Sequence, residues 1–290
     1  MDLRKFSTLG RPVDPIYPTN LVILVITIFC VIAGSLYMII AGEKITSAVF
    51  FGLMAGTSVF FSWAIGREID PDNPLSAFIQ IPFTIGGMIY FGTPNIILLF
   101  SLMLLLRLVS RSVGLYCRIS DSIVVLIVCS IASIFFSWII GVAMAVTFLA
   151  DGILYKPLKR HFIFSAIGFA VSIFSIIKGS PEEISFADGD VKIFILIFAG
   201  TVSLLFTGVI FSPGIFLSRC DQTEELLDPT RVRMAQMIAL FAAATMTVWN
   251  VEDGFVKIMP VWTAMLGISI FRIYKMFRRS EKAVFPDGNL

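Results

Sequence analysis

The chain has 290 residues, of which 57% are hydrophobic and only 14% are charged, and its mean hydropathy is +0.92. Soluble domains carry about a quarter charged residues. This composition therefore excludes a water-soluble fold and indicates that a lipid bilayer surrounds the protein. The formal net charge is only +2 and no basic stripe is present, so nucleic acid is not an expected partner.

Residues 1–20 predict a polar arm with three prolines and no apolar core, so no cleavable signal peptide is expected. Thr19 or Asn20 is predicted to cap the first helix. Residues 278–290 predict a polar tail, and the whole chain is interpreted as one all-α transmembrane domain, a polytopic bundle of about ten helices. The predicted helices are Leu21–Ala41, Ile45–Gly66, Pro74–Tyr90, Pro94–Ser110, Asp121–Phe136, Trp138–Leu154, Arg160–Ile177, Val191–Ser212, Thr230–Asn250 and Phe255–Phe277.

Two uncharged runs decide the number of helices. Residues 73–106 would form a helix of about 51 Å, which is too long for one crossing of a hydrocarbon core of about 30 Å. Gly92-Thr93-Pro94 is a turn signal near its middle, so this run is divided there. The run 122–150 is divided at Ser137-Trp138, although neither glycine nor proline marks a break. Keeping both runs whole gives an eight-helix alternative.

The distribution of Lys and Arg favours ten helices. Cytoplasmic loops hold the excess of positive residues in membrane proteins. With ten helices and both termini cytoplasmic, 18 of the 22 Lys and Arg residues fall on the inside, and the eight-helix alternative gives 15. The predicted location is therefore a cell membrane, with the protein crossing it several times and both ends in the cytoplasm.

The segment Arg67–Asp72 is the strongest candidate for a functional site, because it concentrates charge between two apolar runs. Part of it is explained by structure, since Asp70-Pro71 ends a helix and Asp72 or Asn73 is predicted to cap the next one. Arg67 and Glu68 have no capping role, and charges this close to hydrocarbon are usually paired or functional. The segment is interpreted as the polar cytoplasmic mouth of a binding site. Asp70 and Asp72 form an alternative Mg²⁺ site.

Further charged residues extend this candidate substrate-binding site. Arg107 is expected either to reach the phosphate layer of the membrane or to pair with Glu68 or Asp70 across the helix interface, and Arg111 lies one turn further on. The complete predicted set is Arg67, Glu68, Asp70, Arg107, Arg111 and Asp151.

Asp151 ends a predicted helix, where a carboxylate opposes the helix dipole and needs a cationic partner. Lys156 or Arg160 is expected to supply it, and a second wall of the same pocket is the functional alternative. Asp121 is predicted to cap its helix. His161 is interpreted as an interfacial residue, because a single histidine is not expected to build a zinc site or a Ser-His-Asp triad.

Three functions stay open at this point. The first is a transporter of a small neutral or lipid-like molecule, and ten helices in about 300 residues with both ends inside resemble the drug/metabolite transporters in topology alone. The second is a Mg²⁺-dependent enzyme acting on a lipid phosphate, with Asp70 and Asp72 on the metal. The third is a structural subunit without chemistry. The cofactor is otherwise unknown, and a homo-oligomer and an unidentified small-molecule or lipid ligand are the remaining expected partners.

Overall fold

The computed structural model describes residues 7–11, 13–179, 189–212 and 216–284, with side chains to residue 278. The ends of the predicted arm and tail, residues 1–6 and 285–290, lie outside this part. The described residues form an all-α protein. Its helices are α1 (Pro18–Ile40), α2 (Ile45–Ile69), α3 (Ser76–Phe91), α4 (Ile96–Ser110), α5 (Ile119–Phe135), α6 (Trp138–Ile153), α7 (His161–Lys178), α8 (Asp190–Ile210), α9 (Pro229–Trp249), α10 (Val251–Lys257) and α11 (Met259–Val284).

Helix length and composition are those of a multi-pass membrane protein. Among the described residues, five helices are long and apolar enough to cross a membrane: α1, α2, α7, α8 and α9. A sixth candidate is the pair α10 and α11, which is bent by 74°. The other four, α3 to α6, are apolar but only 15 to 17 residues long.

Both predicted divisions of the long apolar runs are confirmed. The backbone of Gly92 ends α3 at φ +98°, a conformation that glycine adopts without steric cost. Asn95 then caps α4, because its side chain accepts hydrogen bonds from the backbone N–H groups of Ile97 and Leu98. The second break falls at Phe136 and Ser137, immediately before α6.

Several predicted helix starts are wrong. Helix α1 begins at Pro18 with Tyr17 as its N-cap, so Thr19 and Asn20 lie inside the helix. Helix α3 begins at Ser76 without a side-chain cap, and Asp72 and Asn73 precede it. The predicted last helix is two helices, α10 and α11, which meet in a bend at Ile258. Capping residues thus identify the region of a helix start to within a few residues but not its exact first residue.

Asp121 is also not the predicted cap. Helix α5 begins at Ile119, so Asp121 is its third residue. Its carboxylate accepts a hydrogen bond of 2.7 Å from the backbone N–H of Thr8 and another from the Thr8 hydroxyl. This carboxylate therefore fastens the N-terminal arm to the bundle.

Small residues bring α1 and α2 into close contact. A Cβ atom placed on Gly52 would lie 2.1 Å from Ser35 Oγ, and one on Gly56 would lie 2.4 Å from a methyl carbon of Val31. Glycine at both positions of Gly52-x-x-x-Gly56 leaves room for the facing helix, which is the packing typical of small residues four apart in membrane helices.

The two ends of the bundle differ in charge. The arm end is defined as the end of the bundle that holds the N-terminal arm, the loops 70–75, 111–118, 154–160 and 216–228, and the last turns of α11. Its contacts include Arg11 to Asp221 (2.8 Å), Asp72 to the Ser218 amide (2.8 Å), Lys156 to Glu225 (2.8 Å) and Arg272 to Asp70 (3.1 Å). The acidic hairpin after α2 and the basic end of α11 therefore lie at the same end of the molecule.

The opposite end is held together by apolar and backbone contacts. The indole rings of Trp138 and Trp249 are 5.0 Å apart, and the backbone N–H of Asn95 donates to the carbonyl of Lys257 at 3.0 Å. Helices α4 and α6 are buried along most of their length between these two ends. Since protein rather than lipid surrounds them, their short length does not have to match the bilayer.

Candidate functional site

A cavity with a volume of about 550 Å³ opens at the arm end. It lies between the arm, the first turn of α1, the last turns of α2 and α4, and the loop 216–228. Such a volume is typical of sites that hold small organic ligands. Its lining includes Arg11, Asp14, Tyr17, Phe60, Trp63, Ala64, Arg67, Glu68, Met103, Arg107, Val113 and Asp221.

Glu68 is the centre of the charged part of this cavity. It is buried, and its Oε1 lies 3.0 Å from Arg107 Nε and 3.6 Å from an Nη atom of Arg11. The predicted Arg107–Glu68 pair across the α2–α4 interface is confirmed. A buried carboxylate needs such partners, because an isolated charge is costly away from water.

Arg11 links Glu68 to the loop 216–228, since it also forms an ion pair of 2.8 Å with Asp221. The pKa of Asp221 is raised above its ordinary value, because the effect of burial exceeds the lowering by the neighbouring Arg11. The arm is therefore one wall of the cavity. It is fixed there by Arg11 at one point and by the Thr8 contact with Asp121 at another.

Arg67 lines the cavity from α2. Its guanidinium carbon is 5.6 Å from the centre of the Trp63 ring, a cation–π distance, and its Nη1 lies 3.5 Å from Thr19 Oγ1. Three arginines and three acidic residues line the cavity, Asp14 being the third acid. The lining is therefore formally neutral as a whole.

The inner part of the cavity is apolar. Phe60 lies seven residues before Arg67 on α2, which corresponds to about 10 Å along the helix axis. Phe60, Ala64 and Met103 line this part. The cavity thus combines a polar mouth with an apolar interior that extends toward the middle of α2.

Asp70 and Asp72 are engaged elsewhere. Asp70 is buried and accepts hydrogen bonds from Asn73 (2.8 Å), Ser76 (2.9 Å) and Arg272 (3.1 Å). The pKa of Asp70 is raised above its ordinary value, because the effect of burial exceeds the lowering by Arg272. Asp72 accepts from two backbone N–H groups at the start of the loop 216–228. These contacts favour a structural role for both carboxylates.

The Mg²⁺ site of Asp70 and Asp72 stays a prediction. In the part of the chain that the structure describes, no group of three or more His, Cys, Asp or Glu side chains is arranged to hold a metal. Asp70 and Asp72 also contact different sets of protein donors.

Asp151 and Arg111 form a separate buried cluster. Arg111 binds both carboxylate oxygens of Asp151 at 2.8 Å, and Arg231 binds one of them at 2.8 Å. The predicted partners of Asp151 are wrong, because Lys156 pairs with Glu225 and Arg160 donates to the Cys117 carbonyl. Arg231 lies 80 positions after Asp151 in the sequence, so no local sequence pattern could have predicted this pair.

His161 is buried in this cluster and is not interfacial. Its Nδ1 lies 2.8 Å from Asp151 Oδ2, and its Nε2 lies 2.9 Å from Ser122 Oγ. The side chains of Ser122, His161 and Asp151 therefore follow one another in the order of a Ser-His-Asp triad, contrary to expectation, but the contact of His161 Nδ1 with Asp151 lacks the geometry of a hydrogen bond. All three side chains have no exposed surface, and none of them lines a described cavity. The contacts favour a structural connection between α5, α6 and α7.

The candidate site thus contains half of the predicted set. Arg67, Glu68 and Arg107 line the cavity together, and Asp70, Arg111 and Asp151 do not. The arm residue Arg11 and the loop residue Asp221 were not predicted for the site. Their opposite charges were visible in the sequence, but they are separated by 210 positions, so no local pattern indicated the pairing.

Comparison with known proteins adds no family to these observations. A scan of the chain against protein-family models finds no match, and neither a search of curated proteins nor one of solved structures finds a similar chain.

Proposed function

We propose that this chain is a transporter of a small lipid-like molecule, built as one transmembrane domain. The observation that carries the proposal is the cavity of about 550 Å³ with a charged mouth and an apolar interior. An amphiphile matches both parts, because its head group meets the paired charges and its hydrocarbon meets Phe60 and Met103. The formally neutral lining favours a neutral or zwitterionic molecule over a simple ion.

The proposed topology has ten crossings and both termini in the cytoplasm. Arg11 of the arm contacts the loop 216–228, that loop contacts Asp72, and Arg272 of α11 contacts the neighbouring Asp70. The arm and the end of α11 therefore lie at the same end of the bundle, which supports an even number of crossings. In this arrangement α10 and α11 together make the last crossing. The positive-inside rule then places the arm end in the cytoplasm of a cell, because most Lys and Arg residues lie there.

The enzyme alternative is less well supported. It needs Asp70, Asp72 and Asp151 to meet around one metal or phosphate, and their carboxylates contact three different sets of residues. A homo-oligomer stays a prediction. The apolar surfaces of α1, α7 and α8, which face outward, suit contact with lipid.

The proposal is tested by reconstituting the full chain into liposomes that contain a short-chain phospholipid carrying a fluorescent label. Movement of the label between leaflets is followed by adding a quencher that does not cross the membrane. The wild-type chain is expected to accelerate this movement, and Arg67→Gln is expected to slow it at least fivefold. Arg278→Gln, an exposed arginine near the same end, is the matched control and keeps the wild-type rate.

Equal rates in liposomes with and without protein would refute transport of this class of molecule. Equal rates for Arg67→Gln and wild type would show that the labelled lipid does not pass through this cavity.

A further inference from the structure

A smaller cavity of about 160 Å³ adjoins the first one at the arm end. The two cavities share Arg11, Arg67 and Glu68 as lining residues. The rest of its lining is Pro71, Ser110, Ser112, Ser218, Arg219, Leu227 and Val232. This volume is below that of sites for drug-sized ligands, which begin at roughly 300 Å³. It suits a compact group rather than a whole organic molecule.

Four buried polar atoms of this lining have no hydrogen-bond partner among the described residues: Ser110 Oγ, Ser112 Oγ, Arg67 Nε and Glu68 Oε2. Ser110 is only 2% exposed, and its hydroxyl forms no hydrogen bond. The Nε atom of Arg67 is buried without a hydrogen-bond acceptor. Because most buried polar groups in folded proteins are satisfied, such atoms point to a ligand or water that binds them. The two hydroxyls and Arg67 Nε can donate hydrogen bonds, whereas Glu68 Oε2 accepts one, for instance from a protonated phosphate oxygen or a water.

The charge of the smaller cavity differs from that of the larger one. Arg11, Arg67 and Arg219 line it against the single carboxylate of Glu68, which leaves a formal excess of two positive charges. Helices α2 and α4 end here, and each C-terminus contributes roughly half a negative charge. The excess is therefore reduced but keeps its sign.

Arginine and hydroxyl groups together are a donor set that suits a tetrahedral oxyanion. Guanidinium groups match the geometry of phosphate oxygens and form short, charge-assisted hydrogen bonds with them. The Ser112 hydroxyl lies beside the Glu68 carboxylate, which is itself held by Arg107. Oε1 of this carboxylate is thus already paired, whereas Oε2 has no partner among the described residues. Arg219 donates one hydrogen bond to the Glu224 carbonyl and Arg67 one to Thr19, so each guanidinium keeps further N–H groups for an incoming anion.

We propose that this smaller cavity binds a phosphate group, as the head group of a lipid or as free inorganic phosphate. In the first case the inference rests on the proposed function and names its substrate class. The phosphate then occupies the smaller cavity, and the hydrocarbon lies along Phe60 and Met103 in the larger one. The shared residues Arg11 and Arg67 connect the two parts.

The test is calorimetric titration of the purified full chain in an uncharged detergent with three probes. These are dihexanoyl phosphatidate, inorganic phosphate, and dihexanoylglycerol, which lacks the phosphate. Phosphatidate is expected to bind at least tenfold more tightly than dihexanoylglycerol. Arg219→Gln and Ser110→Ala are each expected to weaken phosphatidate binding severalfold and to leave dihexanoylglycerol unchanged. Arg278→Gln is the matched control and changes neither.

The probes separate the sources and the two proposals. Binding of inorganic phosphate alone, weakened by Arg219→Gln, would support the phosphate site with free phosphate as its ligand and would count against a lipid substrate. Equal affinity for phosphatidate and dihexanoylglycerol would overturn the phosphate site and leave the proposed function standing. Binding of no probe would overturn the phosphate site, whereas the proposed transport is decided by the liposome assay. Phosphate binding that neither variant weakens would overturn the assignment to this cavity.

Discussion

Replacing Asp151 by asparagine tests the buried cluster that joins four helices. The carboxylate has no exposed surface and balances Arg111 and Arg231, whose side chains are only 10% and 3% exposed. In Asp151→Asn the shape is kept and the negative charge is lost. Two buried guanidinium groups then face a neutral amide, so we expect a large loss of stability.

The magnitude follows from the contacts that remain. Removing one partner of a buried ion pair costs about 3–5 kcal/mol. Arg231 keeps the carbonyls of Val109 and Tyr155 as acceptors, and Arg111 keeps that of Lys156, so the lower end of the range applies. We expect a loss of about 3 kcal/mol. At roughly 2 °C per kcal/mol for a long chain, the Tm falls by about 6 °C.

The assay uses the cysteines of the chain. Cys30, Cys117 and Cys129 are buried, so a thiol-reactive fluorescent dye reports unfolding in detergent as the temperature rises. The control is Glu225→Gln, which removes an exposed ion pair with Lys156 and is expected to cost less than about 1 kcal/mol. A Tm for Asp151→Asn within 2 °C of that of Glu225→Gln would refute the assigned role of the cluster.

Three further predictions concern packing, thiol chemistry and the loop 216–228. Gly52→Ala places a methyl group against α1 and is expected to cost about 1–3 kcal/mol in thermal unfolding, whereas Gly86→Ala, which has open space around it, is expected to cost nothing. Burial raises the pKa of Cys117 from 9.0 to about 11, so alkylation at pH 8 should be about 100-fold slower than for a thiol with the ordinary pKa and should rise about tenfold per pH unit up to pH 11. Asp72→Ala is expected to accelerate hydrogen exchange of the two backbone amides that its carboxylate binds, at positions 217 and 218. Equal Tm values for the two glycine variants would contradict the close packing of α1 on α2. Alkylation of Cys117 at the ordinary rate at pH 8 would contradict its raised pKa, and unchanged exchange at positions 217 and 218 would contradict the hydrogen bonds to Asp72.

The sequence predicted the helices well because their determinants are local. The local sequence itself contains the apolar runs, the turn residues and the charges of the loops. Gly92 and Pro94 marked one division, and the Lys and Arg distribution supported the other at Ser137, where no turn residue is present. The bend between α10 and α11 was missed because Glu252 and Asp253, which lie inside α10, were interpreted as a loop.

The candidate site was predicted only in part because its contacts are long-range. Arg107 and Glu68 lie at neighbouring helix ends that face each other, so their pair could be predicted from the topology. Arg231 on α9 pairs with Asp151 on α6. Which arginine reaches this carboxylate depends on how the helices are arranged in the membrane plane. Hydropathy and spacing carry no information about that arrangement. The burial of His161 was missed for the same reason.

The most direct measurement determines on which side of the membrane each end of the bundle lies. The four native cysteines are replaced, and single cysteines are introduced at Gly10 in the arm, Lys44 between α1 and α2, and Arg278 in α11. Intact cells are then treated with a thiol reagent that does not cross membranes. The predicted result is labelling at position 44 in intact cells and labelling at positions 10 and 278 only after permeabilisation. Labelling of positions 10 and 278 from opposite sides would contradict the even number of crossings and the cavity that the arm and the loops enclose.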